Sequence, residues 1–267
     1  MPSLRVLAHA WRAYGRNKRD LKHEPETPYL QDLLAGEPVC LHVGASDGRH
    51  SYAMAKVASG ARIWAFEPSR FAFEVLKTTI AWHGLGARVT AINAAVSDQP
   101  GELLLVTPRK SSGRMGRAFA FVASSAPTGP VRPDVEDRGF ASETAEVVTL
   151  DGFCSAKGIG RVDFIRMDIE GAEGKALAGA VGLIDRDRPN LLLEIHPTML
   201  AQRFGGSAEA VVDFLLSRGY RMFALSDGAL EERRSVVPGL PWRDYFFLHP
   251  SRAEGLPEGV FRGRMQA

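Results

Sequence analysis

Val39-Cys40-Leu41-His42-Val43-Gly44-Ala45-Ser46-Asp47-Gly48, followed by Ala61-Arg62-Ile63-Trp64-Ala65-Phe66-Glu67-Pro68, decides the fold. A short, mostly apolar run before a glycine turn reads as a buried strand, and a second such run closing on an acid reads as the next one. Gly44 and Gly48 let backbone approach a ligand closely, and a helix starting near His50 turns its amide dipoles toward that ligand. A carboxylate about 20 residues after the turn, here Glu67, accepts the ribose hydroxyls of a nucleoside cofactor.

The turn spacing argues against a dinucleotide. That fingerprint reads G-x-G-x-x-G, whereas this turn reads Gly44-Ala45-Ser46-Asp47-Gly48 and has no third glycine to open the helix. S-adenosylmethionine lacks a pyrophosphate, so its turn needs fewer backbone donors and tolerates polar side chains. Ser46 and Asp47 fit that requirement, with Asp47 facing the cofactor's ammonium group.

Working outward, strand and helix patterns alternate. Strands are expected at Val39 to Val43, Arg62 to Phe66, Arg88 to Val96, Glu102 to Val106, Val162 to Met167, Asn190 to Ile195, Tyr220 to Leu225 and Tyr245 to Leu248. Helices are expected at His50 to Ala58, Ser69 to Trp82, Ala172 to Ala180 and Ala208 to Arg218. Alternation of this kind specifies an α/β, doubly wound, mostly parallel seven-stranded sheet with right-handed crossovers. The last two strands lack a helix between them, which predicts an antiparallel strand at one edge.

A second group of acids ends the two middle strands. Asp168 follows Val162 to Met167 directly, with Glu170 and Glu173 in the turn beyond it. Glu194 and His196 close the next strand before Pro197. Ligands in open sheets bind at these carboxyl ends. Strand alternation points Glu194 and His196 the same way. An acid straight after a mostly apolar strand is costly unless it is paired or working, which singles out Asp168. Glu173, in the first turn of a helix, is explained by the helix dipole.

Composition bounds the rest. The chain has 267 residues, 45% hydrophobic and 24% charged, so it can bury one large core or two small ones. A net charge of +2 does not call for a nucleic-acid partner. Cys40 and Cys154 give no disulfide framework and fit a reducing compartment. No apolar run reaches the ~20 residues needed to span a bilayer, and no signal-type core follows the start, so a cytoplasmic location is expected.

Three units are expected: an arm at 1–30, a catalytic domain at 31–250 and a tail at 251–267. In the arm, Leu4, Leu7, Ala8, Trp11 and Tyr14 recur at helical spacing among Arg5, Arg12, Arg16, Lys18, Arg19 and Lys22. Such a helix packs on its own domain or a dimer mate, or rests on an anionic membrane surface through residues 1–24. Within the domain, an insertion at 107–146 begins with Thr107 to Pro133, which carries Arg109, Lys110, Arg114, Arg117 and Arg132 and no acid. It reads as a loop without its own structure, either a solvated surface or a grip for a phosphorylated acceptor.

Taken together, LHVGASDG, WAFEPS, INAAVSDQPGEL, VVTLDGF, FIRMDIEGAEGKALAGA, LLLEIHP and YFFLHP resemble the FkbM family of S-adenosylmethionine-dependent methyltransferases. The resemblance implies a class I methyltransferase sheet and O-methylation of a hydroxyl on a sugar, glycan or natural product. It carries cofactor contacts onto Gly44, Ala45, Ser46, Asp47, Gly48, Glu67, Pro68, Asn93 and Ala94. It makes Asp168, His196 and Glu194 the catalytic candidates, with Asp168 or His196 as general base. The same three side chains offer ligands to a divalent metal, though their spacing does not demand one. His42 stands where the family usually has an acid, and Arg166 where it usually has lysine. Two other classes remain: a nicotinamide-dependent oxidoreductase, and a non-catalytic binding protein on the same fold.

Overall fold

A computed structural model describes residues 2–21, 24–108, 121–123, 140–226, 229–240 and 243–252. The chain begins with α1 (Leu4–Asp20) and α2 (Thr27–Leu33). It then alternates β1 (Val39–Val43), α3 (Arg49–Val57), β2 (Arg62–Phe66), α4 (Arg70–Trp82) and β3 (Val89–Ile92). Short strands follow: β4 (Ala95–Val96), β5 (Gly101–Pro108), β6 (Phe121–Ala123) and β7 (Phe140–Val148). Then come α5 (Leu150–Ala156), β8 (Phe164–Met167), α6 (Glu173–Ala178), α7 (Val181–Asp187), β9 (Asn190–Ile195), α8 (Pro197–Phe204) and α9 (Ala208–Leu216). β10 (Arg221–Ser226), β11 (Ala229–Arg233) and β12 (Arg243–Leu248) close the chain.

The main sheet has the order β11-β10-β12-β9-β8-β1-β2-β3. β3, β2, β1, β8 and β9 are parallel, while β12 runs antiparallel to both β9 and β10. The strand direction reverses at that end of the sheet, as the missing crossover helix requires. The sheet has eight strands rather than seven because β11 hairpins antiparallel onto β10 as the edge strand. Its sequence, Ala-Leu-Glu-Glu-Arg, has too little alternation to announce a strand.

β1 is buried along its whole length because it lies between two parallel neighbours with helices on both faces. On one face Leu41, Val43, Ile165, Met167, Leu191 and Leu193 pack with α5, α6, α7 and α9. On the other, Cys40, Phe164, Leu192, Phe223 and Phe246 pack with α2, α3 and α4.

The run expected as one strand from Arg88 to Val96 divides. Asn93 interrupts it, donating its side-chain amide to the carbonyls of Glu67 and Pro68, each at 2.9 Å. The chain then leaves the main sheet and starts a second one, ordered β4-β7-β5-β6. Glu102 to Val106 therefore belongs to this small sheet. The insertion is not a plain loop either: β5 and β7 pair antiparallel from Gly101↔Val147 to Pro108↔Phe140, and β6 adds to β5. Residues 109–120 and 124–139, with the cations expected to grip an acceptor, lie outside the described residues, as do 253–267 of the tail.

The arm belongs to the domain surface. Val6, Ala10, Ala13 and Asn17 are its buried residues, and Val6, Ala10 and Ala13 cluster with Val75 of α4. Of the stripe expected from the sequence, Leu4 and Trp11 are left exposed, whereas Tyr14 is half-buried and stacks on His83 at the end of α4, with ring centroids 4.4 Å apart.

Candidate active site

The carboxyl ends of β1, β2 and β8 meet where the strand order reverses, which is where open α/β sheets bind ligands. Val43 pairs with Phe66 and with Met167, so the residues that follow each strand become neighbours. The amides of Gly44 and Ala45 donate to the Phe66 carbonyl at 3.1 and 2.8 Å, and Asp168 N–H donates to the Val43 carbonyl at 3.0 Å. Gly44 has φ +83°, and a Cβ there would lie 1.9 Å from the Asp168 carbonyl oxygen. Glycine is demanded at this position by its conformation and by the closeness of the next strand.

A cavity of about 520 Å³ opens over these strand ends. Gly44, Ser46, Asp47, Glu67, Pro68, Ala94 and Asp168 line it, alongside Phe66, Phe71 and Val96. The second sheet supplies a further wall through Leu103, Leu105 and Val147. Glu67 accepts hydrogen bonds from the amides of Ser46 at 2.8 Å and Ser69 at 2.9 Å. Burial pushes its carboxyl up to about 7, against the pull of those two amides. Asp47, expected to face a cofactor's ammonium group, is paired with Arg16 of α1, so the arm reaches the turn from Gly44 to Gly48. His9, also on α1, lines the cavity, and no motif had marked it.

Beyond the cavity lies a band of charge. The residues at alternate positions Arg166 and Asp168 share a face with Glu194 and His196, and Asp244 of β12 pairs in register with Glu194. Arg166 is fully buried, with Nη2 at 2.9 Å from Asp244 Oδ1 and 3.4 Å from Glu194 Oε2. His196 Nε2 shares a 2.7 Å hydrogen bond with Glu194 Oε1 and lies 4.0 Å from Glu170 Oε2. Ligand atoms of Asp168, Glu194 and His196 all lie within 4.8 Å of one another.

The three residues expected from the sequence are therefore together, though they differ in access. Asp168 lines the cavity, whereas His196 and Glu194 stand behind it. Burial, with Glu194 and Glu170 adding repulsion, pushes Asp168 up to about 7 despite Arg166. Burial lowers His196, but its bond to Glu194 and the charge of Glu170 outweigh that and leave it above its ordinary value. Burial also acts to raise Glu194, but its bond with His196 and the Arg166 charge outweigh that and leave it lowered. Glu173 is fully buried and accepts the Gly171 amide at 3.1 Å, bracing the turn between β8 and α6.

Two of these features were hidden in the sequence. Arg166 reads as an ordinary cation until the fold buries it among acids, although a cation inside an apolar strand is itself a signal. Asp244 lies far along the chain, in a strand that only the sheet order places beside Glu194. His42, in the place of the expected acid, is buried with Nδ1 2.7 Å from Ser51 Oγ, and burial with nearby cations lowers it to about 3.

Among solved structures, the chain is similar to methyltransferase FkbM from Methylobacillus flagellatus at 18% identity and TM-score 0.48. That match covers 80% of this chain but 44% of the other, so the chain spans less than half of that relative's length. Precorrin-6y C5,15-methyltransferase from Geobacter metallireducens matches at 13% identity and TM-score 0.39, covering 84% and 87% of the two chains. A SAM-dependent O-methyltransferase from Thermotoga maritima matches at 11% identity and TM-score 0.39, covering 85% and 65%. Among curated proteins there is no match. The family model described as the methyltransferase FkbM domain matches residues 42–222, and with it well over half of the sequence. On the strength of that span, the chain belongs to the FkbM methyltransferase family.

Proposed function

We propose that the protein transfers a methyl group from S-adenosylmethionine to a hydroxyl of a sugar, glycan or natural product. One observation carries this reading: Glu67 and Asp168, the acids that end β2 and β8, face one cavity on either side of the Gly44 turn. The residues present fit the cofactor. Glu67 is anchored through two backbone amides, which leaves lone pairs for ribose hydroxyls, and Phe66, Pro68, Ala94 and Val96 offer an apolar slot for a purine. Ser46 and Asp47 would stand at the methionine end, with Arg16 beside Asp47 offering charge to a carboxylate.

When bound, S-adenosylmethionine supplies an electrophilic methyl for in-line displacement by the acceptor oxygen. Asp168, poised near 7, takes the hydroxyl proton as the new bond forms, a role that contributes roughly 10² to 10⁴ in rate. Glu194, bonded to His196 and close to Arg166, stays ionised behind it and fixes the imidazole. Cavity walls that held acceptor and methyl donor in line would supply about 7 to 11 kcal/mol of the barrier at best. The clustering of Asp168, Glu194 and His196 also supports a second reading, in which they hold a divalent ion that acidifies the hydroxyl. Two buried reduced cysteines, Cys40 and Cys154, support a cytoplasmic setting.

Calorimetric titration of S-adenosylmethionine and of NAD into the wild type and Glu67→Ala tests the assignment. S-adenosylmethionine alone should bind, and roughly tenfold or more weakly to the variant, which lacks a charge-assisted hydrogen-bond acceptor. Binding of NAD would favour the oxidoreductase, and binding of neither would favour the non-catalytic protein.

A further inference from the structure

α1 presents two unlike faces. Its inward face is committed, with Val6, Ala10 and Ala13 on α4 and Arg16 on Asp47. Its outward arc carries Leu4, 86% exposed, and Trp11, 69% exposed, and Trp11 meets the 40% exposed Trp82 of α4 edge to face at 6.4 Å. Among the described residues, three of the five large apolar side chains left exposed lie in this one patch. Exposed apolar residues scattered singly need no explanation, but a cluster holding two tryptophans does.

The charge around the patch narrows what covers it. The exposed residues of α1 are Leu4, Arg5, Ala8, Trp11, Arg12, Lys18 and Arg19, so the arc holds four cations and no acid or side-chain amide. Lys18 lies over the Tyr14 ring, 4.2 Å from its centroid, at the border of the patch. A sugar stacked on Trp11 would find no carboxylate or amide on this arc to accept its hydroxyl protons. A second copy packed face to face would bring like charges together. An anionic bilayer satisfies both components: indole rings settle at the headgroup level, and lysines and arginines are drawn to the negative leaflet.

We infer that the outward face of α1, with Trp82, is a docking surface for an anionic lipid bilayer. The helix lies in the plane of the interface, with Leu4 and Trp11 inserted and the four cations among the headgroups. The contact is peripheral: no helix among the described residues is long and apolar enough to cross a membrane. The docking residues are separate from the cavity lining, so this inference stands or falls independently of methyl transfer.

Co-sedimentation of the full chain with phosphatidylcholine vesicles, with and without phosphatidylglycerol, tests it, alongside tryptophan emission. The wild type should partition onto the anionic vesicles alone, shift its emission to the blue and release at high salt, where the Debye length shortens to about 3 Å. Lys18→Glu with Arg19→Glu should weaken partitioning on the order of tenfold or more, and Trp11→Ser should reduce the blue shift to the part that Trp82 contributes. All three positions are exposed, and thermal unfolding matched to wild type confirms that the variants fold. No partition onto anionic vesicles, equal partition of wild type and charge variant, or self-association of the wild type in place of vesicle binding would each overturn the lipid assignment.

Discussion

Replacing Arg166 with methionine removes a buried cation and leaves its acids behind. The guanidinium lies 2.9 Å from Asp244 and 3.4 Å from Glu194, and Asp168 and Glu26 also feel its charge. At an effective dielectric near 20, unit charges about 3 Å apart attract by about 5 kcal/mol, which the desolvation of the arginine largely offsets. Methionine avoids that desolvation but strands the carboxylates, so Arg166→Met should lose about 3 to 5 kcal/mol, the range for breaking a buried pair from one side. In a chain of this size that lowers the unfolding midpoint on the order of 10 °C. The loss should depend on pH. Burial already pushes Asp168 and Glu26 up to about 7 and raises Asp244, and losing the cation pushes all three further. Acids raised in the folded state hold more protons there than in the unfolded chain, so their effect is to reduce stability as pH climbs from about 4 to their folded values. Urea unfolding at about pH 5 and pH 8 should therefore show the larger deficit at the higher pH, and Arg166→Lys should recover part of it. A deficit identical at both pH values, or none, would refute this account of the charged band.

Asp168→Asn should cut turnover by roughly 10² to 10⁴ while keeping most of the cofactor affinity, and the wild-type rate should climb as pH rises through about 7, where the base loses its proton. A full-rate Asp168→Asn enzyme would remove Asp168 as the base. Chelation of divalent ions should leave turnover unchanged, because the Glu194 and His196 side chains already satisfy each other at 2.7 Å and Arg166 adds positive charge beside them. Activity lost to a chelator and restored by magnesium or manganese would instead favour the metal-ligand reading.

Much of the site is local and could be read from the chain alone. The strand, turn and acid from Val39 to Glu67 lie within one β-α-β unit, where period and turn chemistry are set by near neighbours. Asp168, Glu194 and His196 were marked by their place at strand ends, and alternation put Glu194 and His196 on one side.

What required the tertiary structure is long-range. The separate small sheet depends on Asn93 bonding back to Glu67 and Pro68, a contact that no periodicity encodes. The partner of Asp47 comes from a helix 31 residues earlier in the chain. The rotation of α1 was decided by its packing on α4, where Val6, Ala10 and Ala13 meet Val75 and Tyr14 stacks on His83 while Leu4 and Trp11 are left exposed. Arg166 became structural only when sheet order set β12 beside β9 and gave its buried charge Asp244 as a partner. Sequence by itself determined the alternating elements and the acids at their ends, because backbone preference and hydrophobic period act over a few residues. The fold alone decided which charges are buried together and which face of the first helix is left outward, because burial and ion pairing depend on neighbours that the chain brings from far away.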